Sequence, residues 1–288
     1  DLAGVKRRVI GVSRFSTPGL RERLESWSID TIACDLLNPR EVDELPLAPL
    51  VISMSGYKFG TAQQPEMTWA TNCFAPTLIA QRFQNSRVVT FSTGNVYGYV
   101  APSSGGSLES DREQPDGEYA MAAVGRERMY AYFAKHWDIP TIILRLNYAT
   151  ELRYGVIVDL AQQVQHRRPL DVTMGHVNVI WLGDANQMSL LALRHTCSPA
   201  RVINLSGHEI LSTREVAVQL GKLMEKKVTL VGQEAPKALL SNGQQGYQLW
   251  GRPKVNADEM IRWTADWIGH NRPTLGKPTH FEVTDGKF

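Results

Sequence analysis

Only three cysteines occur in the 288 residues, Cys34, Cys73 and Cys197, and they are odd in number and far apart. That excludes a disulfide framework or a zinc-finger-like ligand set and suits a reducing compartment. Long apolar runs are missing as well. Nothing approaches the roughly 20 apolar residues that cross a bilayer, and the opening DLAGVKRR has no signal-peptide core. Charge of one sign is also lacking, because 31 Lys and Arg face 29 Asp and Glu. Such a balance gives no global field for nucleic acid or anionic lipid, and no basic, aromatic-rich stripe points to RNA. Repeats and low-complexity tracts are absent, and the seven histidines show no ligand spacing, so no metal is expected. These absences leave a cytoplasmic, soluble protein without nucleic-acid or membrane partners.

What the sequence does contain is a rhythm. The β-branched runs RVIGVS, TIACD, LVISMS, RVVTFS, TIILRLN and RVINLS alternate with longer amphipathic stretches. That is the βαβ pattern of a parallel sheet covered by helices on both faces, which also explains why the runs are nearly continuous in apolar residues. An α/β, Rossmann-like doubly wound sheet follows. Residues 1–150 read as its main part. Residues 151–288 read as a smaller, mainly substrate-binding portion, with the strand 201–206 returning to the main sheet.

Helix signals fit this frame. Pro65 and Glu66 open a helix over 65–83 that the internal Pro76 should bend or break near Ala75. A second helix runs over 119–137 with an apolar face through Val124, Tyr132 and Phe133, and Asp138 and Pro140 stop it. Ser212 and Glu215 have capping-box spacing and open a helix to about Met224. The segment 102–107 reads as a surface loop, and the tail THFEVTDGKF as a piece docked on the body.

The segment FSTGNVYG (91–98) ends a buried strand with two hydroxyls and a glycine turn. Ligands of parallel sheets sit beyond the carboxyl ends of strands, beside the switch point. Tyr119, twenty-six residues after Thr93, opens a long helix whose phenol can point back to that hydroxyl. At this point the sequence resembles the extended short-chain dehydrogenase/reductase superfamily and its NAD-dependent epimerase/dehydratase family. Thr93, Val96, Tyr97, Gly98 and Tyr119 match that family's pattern. The likeness continues through ACDLLNP, VISMSG, Asn72, Glu127 and WLGDA.

The resemblance implies a bound NAD(P) and a sugar or sugar-nucleotide substrate reacting at a hydroxyl or carbonyl. It implies Thr93 and Tyr119 as catalytic residues, and Ser13, Arg14, Asp35, Ser53, Met54, Ser55, Asn72 and Tyr119 along the cofactor. It places Asn95, Asn147, Arg153 and Asn178 toward substrate, with Trp181 nearby. It further implies a homodimer built on the helices of 66–83 and 119–137. Arg14, at the end of the RVIGVS strand, suits a 2′-phosphate and favours NADP.

Two departures stand out. No glycine-rich turn follows the first strand. The order of segments matches the family only if RVIGVS is the second strand, so about thirty residues of strand, turn and helix are expected upstream, with DLAG as that helix's tail. The second departure is Ala123, where the family has a lysine one turn beyond the tyrosine. A tyrosine without a nearby cation titrates near 10 and is only about 0.1% phenolate at pH 7. Lys58, in a loop at a strand's carboxyl end, is the expected stand-in, with Arg126 read as an ordinary helix-surface charge. Reduction, in which Tyr119 acts as a neutral acid, tolerates the loss better than oxidation. Gly94 and Asn95 stand where the family's dehydratases carry an Asp-Glu pair, which argues against elimination of water. Ala123 also keeps open a catalytically impaired NAD(P)-binding sensor or scaffold.

Overall fold

The computed structural model describes residues 7–283. The DLAG segment and residues 284–288 of the tail lie outside the described residues. The chain begins with β1 (Ile10–Ser13), α1 (Leu20–Ser26), β2 (Asp30–Ala33), α2 (Pro39–Asp43) and β3 (Leu50–Ser53). It continues through α3 (Pro65–Trp69), α4 (Ala75–Arg82), β4 (Arg87–Thr93), α5 (Gly117–His136) and β5 (Thr141–Leu146). Then come β6 (Ala149–Thr150), α6 (Val156–Gln165), β7 (Leu170–Asp171), β8 (His176–Val177), β9 (Ile180–Trp181), α7 (Leu182–Ala192) and β10 (Arg201–Leu205). The remainder is β11 (Leu211–Ser212), α8 (Thr213–Leu223), β12 (Leu230–Val231), α9 (Gln244–Trp250) and α10 (Ala257–Gly269).

Successive strand residues point to opposite faces, so a run of continuous apolar residues needs cover on both sides. The sheet supplies this. Strands β3, β4, β5 and β10 pair in parallel in the order β10-β5-β4-β3. Val88 and Ile143 pack with Tyr130 and Phe133 of α5 on one face. Val89, Ile142 and Leu144 pack with Ala185 and Met188 of α7 on the other, joined there by Leu249 and Trp250. The observed architecture is α/β with a parallel central sheet.

The N-terminal strands behave differently. β1 pairs in parallel with β2, and among the described residues neither is hydrogen-bonded to β3. Val12, Ile32 and Val51 nonetheless pack around one cluster with Cys34, Val42 and Leu45. The C-terminal portion has its own core, in which Leu160, Ala217 and Met260 bring α6, α8 and α10 together. Phe281 of the tail is buried in it, and Asp159 accepts the Thr279 N–H at 2.8 Å.

Pro76 does interrupt its helix, with a specific result. Its nitrogen cannot donate to the carbonyl of Asn72, four residues earlier, and its ring crowds that carbonyl. The chain widens into a π-helical turn, Ala70–Phe74, between α3 and α4. Asn72 sits in that turn and is buried.

Two expectations need correction. The inward stripe of α5 is Ala120, Ala123, Arg126, Glu127, Tyr130 and Phe133, whereas Tyr132, expected on the apolar face, is exposed. The segment 102–107 is a surface loop only at its start. Gly106 and Ser107 are buried, and Ser107 donates its N–H to Leu240 O at 2.9 Å.

Candidate active site

Four parallel strands deliver their carboxyl ends to one rim, where the chain leaves β3 as Met54–Lys58, β4 as Gly94–Gly98 and β5 as Asn147. Thr93 is the last residue of β4 and is buried; its hydroxyl donates to Asn95 Oδ1 at 3.0 Å and accepts the Asn95 N–H at 3.2 Å. Gly94 follows because nothing larger fits: a Cβ there would stand 2.7 Å from Asn147 Oδ1. Helix α5 packs against this turn. A cleft of about 350 Å³ is lined by Asn95, Tyr97 and Gly98 from the turn, by Asp116 just before Tyr119's helix, and by Lys237 from the C-terminal portion. The turn after Thr93 and Asp116, the residue just before α5, therefore border one opening.

Beneath the rim is a closed cluster of charge. Arg145 on β5 is buried; its Nε and Nη2 reach Glu127 of α5 at 2.9 and 2.7 Å, and Nη2 also reaches Glu113 at 2.8 Å. Its Nη1 donates to the Tyr97 hydroxyl at 2.7 Å, and that hydroxyl donates to Asn204 Oδ1 at 2.8 Å. Burial alone would depress the Arg145 pKa, but Glu127 and Tyr97 outweigh it and push it up. Burial pushes the Tyr97 phenol up to about 12, against the pull of Arg145. Every charge here has a partner, so the tyrosine of the VYG segment is held as a structural phenol.

Arg126 occupies a different environment, and its reading as a helix-surface charge is overturned. It is only 6% exposed. Its Nη1 donates to Phe91 O at 2.8 Å and its Nη2 to Asn72 Oδ1, while Nε meets no acceptor. Burial pushes its pKa down, and the charge that most opposes this is that of the Tyr119 phenol. Asn72 also brackets the backbone of Tyr57, accepting its N–H at 3.1 Å and donating to its carbonyl at 3.0 Å. Expected along the cofactor, Asn72 has its side chain committed to the loop after β3 and to Arg126.

The other expected residues divide clearly. Met54 is 69% exposed at the rim, Ser55 is half-buried and Ser53 is buried. Arg14 is exposed beyond β1, and Ser13 Oγ accepts the Phe15 N–H at 3.3 Å. Asp35 caps its own turn, accepting the Leu37 N–H at 3.0 Å. Lys58 donates to the Tyr154 hydroxyl at 3.1 Å. Asn147 and Asn178, expected toward substrate, are instead buried and bonded to each other at 2.6 Å, and Asn178 also donates to Ser241 O. Arg153 is paired with its neighbour Glu151 at 2.9 Å. Of the four residues expected toward substrate, Asn95 lines the cleft. Asp116 and Lys237 were not anticipated; Asp116 could have been, because it precedes the Tyr119 helix, but nothing in the sequence brings Lys237 here.

Residues 2–205 match the profile of the NAD dependent epimerase/dehydratase family. The chain belongs to this family. Solved structures of the same fold include UDP-glucuronic acid 4-epimerase from Bacillus cereus in complex with NAD, at 19% identity and a TM-score of 0.77 over 94% of this chain and 93% of that one. RMD from Pseudomonas aeruginosa complexed with NADPH gives 17% and 0.73 over 91% and 99%. The Thermus thermophilus UDP-glucose 4-epimerase in complex with NAD gives 20% and 0.74 over 90% and 90%. At these identities the likeness is one of fold. No curated protein matches the chain.

The residues can be tested against the nicotinamide dinucleotide that the family implies. Both ends of the site suit one. Arg14 and Asp35 follow β1 and β2, and at the other end the Arg126 guanidinium packs on Gly56, where an added Cβ would meet Nη2 at 2.8 Å. The middle is different. The family's glycine cradle follows its first strand, whereas the turn between β1 and α1, after the family's second, carries a single left-handed glycine, Gly19, before a helix of seven residues. Among the described residues no helix is long and apolar enough to cross a membrane.

Proposed function

We propose that this protein binds NAD(P) along the strand rim and carries out oxidoreduction or epimerisation at a hydroxyl or carbonyl of a sugar nucleotide. The observation that carries this reading is the cleft bordered by the turn after Thr93 (Asn95–Gly98) and by Asp116, just before α5. The sugar-nucleotide enzymes that share the fold support the substrate class. When bound, the nicotinamide supplies or accepts hydride. Thr93 then hydrogen-bonds the reacting oxygen, and Tyr119 gives that oxygen its proton in reduction or takes it in oxidation. Lys237 and Asn95, at the cleft wall, orient the sugar or its phosphate. Exposed Arg14 favours NADP. Trp69, Phe74, Met121 and Tyr132 leave apolar surface exposed on α3, the π-helical turn and α5, which a second copy of the chain covers in a homodimer.

The test is turnover of UDP- and GDP-sugars with NAD+ or NADP+, followed by proton NMR, for the native protein and Tyr119→Phe. A loss of about 10²–10⁴-fold in the variant, with dinucleotide affinity kept, is expected. Ala123 favours a second reading, a dinucleotide-binding sensor, which predicts binding without turnover in either protein. Failure to bind any dinucleotide overturns both.

A further inference from the structure

After Gly98 the chain makes an excursion and returns to the turn it left, where Gln114 donates its N–H to Val96 O at 2.8 Å. The excursion is tied down on both sides. Glu113 is held by Arg145 at 2.8 Å and by Arg128 at 3.1 Å. On the far side Val100 exchanges backbone hydrogen bonds of 2.9 Å with Ala238, and Ser107 donates its N–H to Leu240 O.

Two hollows meet where the excursion closes. The cleft of about 350 Å³ lies on one side and a hollow of about 230 Å³ on the other, and Tyr97, Gly98, Tyr99 and Gln114 wall both. Three of these cannot set the width of a passage between them. Tyr97 turns inward to Arg145 and Asn204, Gly98 has no side chain, and Tyr99 packs against the core of α6, α8 and α10. The fourth, Gln114, is exposed and lies along Gly98: a Cβ built on Gly98 would stand 2.9 Å from its Oε1 and 3.2 Å from its Cδ. The second hollow also carries charge, from Asp111 and Arg112. Asp111 is occupied, accepting the Leu108 N–H at 2.8 Å. Among the described residues Arg112 has no carboxylate within ion-pair distance, although its neighbour Glu113 serves two other arginines. A guanidinium free in this way offers a planar fork that matches a carboxylate.

We propose that Gln114 is a specificity-determining residue of the cleft: lying across Gly98, it shuts the sugar out of the second hollow, so that a neutral sugar is accepted and a uronic acid, whose carboxylate would have to pass toward Arg112, is refused. This deepens the sugar-nucleotide reading and rests on it. Discrimination here is by shape, which sets its size at about tenfold or somewhat more.

The experiment measures, by calorimetry with NADP+ present, the affinities for UDP-glucose and UDP-glucuronic acid in the native protein, Gln114→Ala, Gly98→Ala and the double change Gln114→Ala with Arg112→Met. The native protein should favour UDP-glucose. In Gln114→Ala, UDP-glucuronic acid should bind about tenfold more tightly while UDP-glucose does not gain. Gly98→Ala, whose methyl must turn the Gln114 amide aside, should move the preference the same way by less. The double change should lose the gain for the acid. Gln114→Ala is also crystallised without ligand, and its two hollows should be continuous. A merely structural role would move both ligands together, so an unchanged ratio of the two affinities in Gln114→Ala overturns the proposal, as does a native preference for the acid. If the native protein binds neither UDP-sugar, the function proposed above fails; hollows that stay separate in the Gln114→Ala crystal then overturn the barrier as well, and continuous ones uphold it.

Discussion

The cluster around Arg145 and the rim around Arg126 lie on one helix face but solve the burial of charge in opposite ways. Glu127, Glu113, Tyr97 and Ser92 enclose the first, so its donors and acceptors are matched within the protein. The second leaves the buried Nε–H of Arg126 unmatched, with Gly56 packed on its guanidinium. A satisfied cluster fixes the positions of strands and helix.

The sharpest way to break this contrast is to truncate each arginine. Arg145→Met strands Glu127 as an unpaired buried carboxylate and should cost about 3–5 kcal/mol of unfolding free energy in urea. Arg126→Met strands no ion and should cost less than about 2 kcal/mol. Equal losses would show that both arginines are structural.

Ser92→Ala comes next. Its hydroxyl donates to Glu127 Oε1 at 2.5 Å inside the closed cluster, and removing a hydrogen bond to a charged group should cost about 1.5–3 kcal/mol. A denaturation midpoint that does not move would mean that Glu127 is held by Arg145 alone.

Gly56→Ala tests the open side. The new methyl would stand 2.8 Å from Arg126 Nη2 and must displace the guanidinium. Because Gly56 is exposed and the guanidinium can shift, the stability loss should stay near 1 kcal/mol or below. A loss of several kcal/mol would show that the guanidinium has no room to give way.

The smallest effect is that of pH on the closed cluster. Burial would raise the Glu113 carboxyl, but a backbone hydrogen bond and the charges of Arg128 and Arg145 outweigh it and hold it below the ordinary range. Its contribution is therefore fully present above the unfolded carboxylate pKa of about 4.3 and is lost as pH falls through the lower, folded value. Stability measured across that acid window should decline less steeply in Glu113→Gln than in the native protein.

Much of this was legible in the sequence. The six apolar runs became β1 to β5 and β10, because continuous β-branched residues have few alternatives to a sheet covered on both faces. Thr93 at a strand end and Tyr119 at a helix start were readable from spacing alone, as was the interruption at Pro76. The side chains around them were not. Tyr132 and Val124 drew the apolar stripe of α5 onto the wrong side, which sent Arg126 to the surface. Asn147 and Asn178 look like cleft residues in a family pattern, but they spend their polar atoms on each other and on the backbone near Ser241.

By itself, then, the sequence determined the order of elements, the parallel sheet and the strand rim that carries Thr93, since periodicity and turn chemistry are local. Only the tertiary structure decided which charged and polar groups are satisfied. Arg126 depends on Asn72, Phe91 and Gly56, and Arg145 on Glu113, Glu127 and Tyr97. Those partners come from distant segments, and whether they close around a charge or leave it open is settled by packing in three dimensions, which no local pattern encodes.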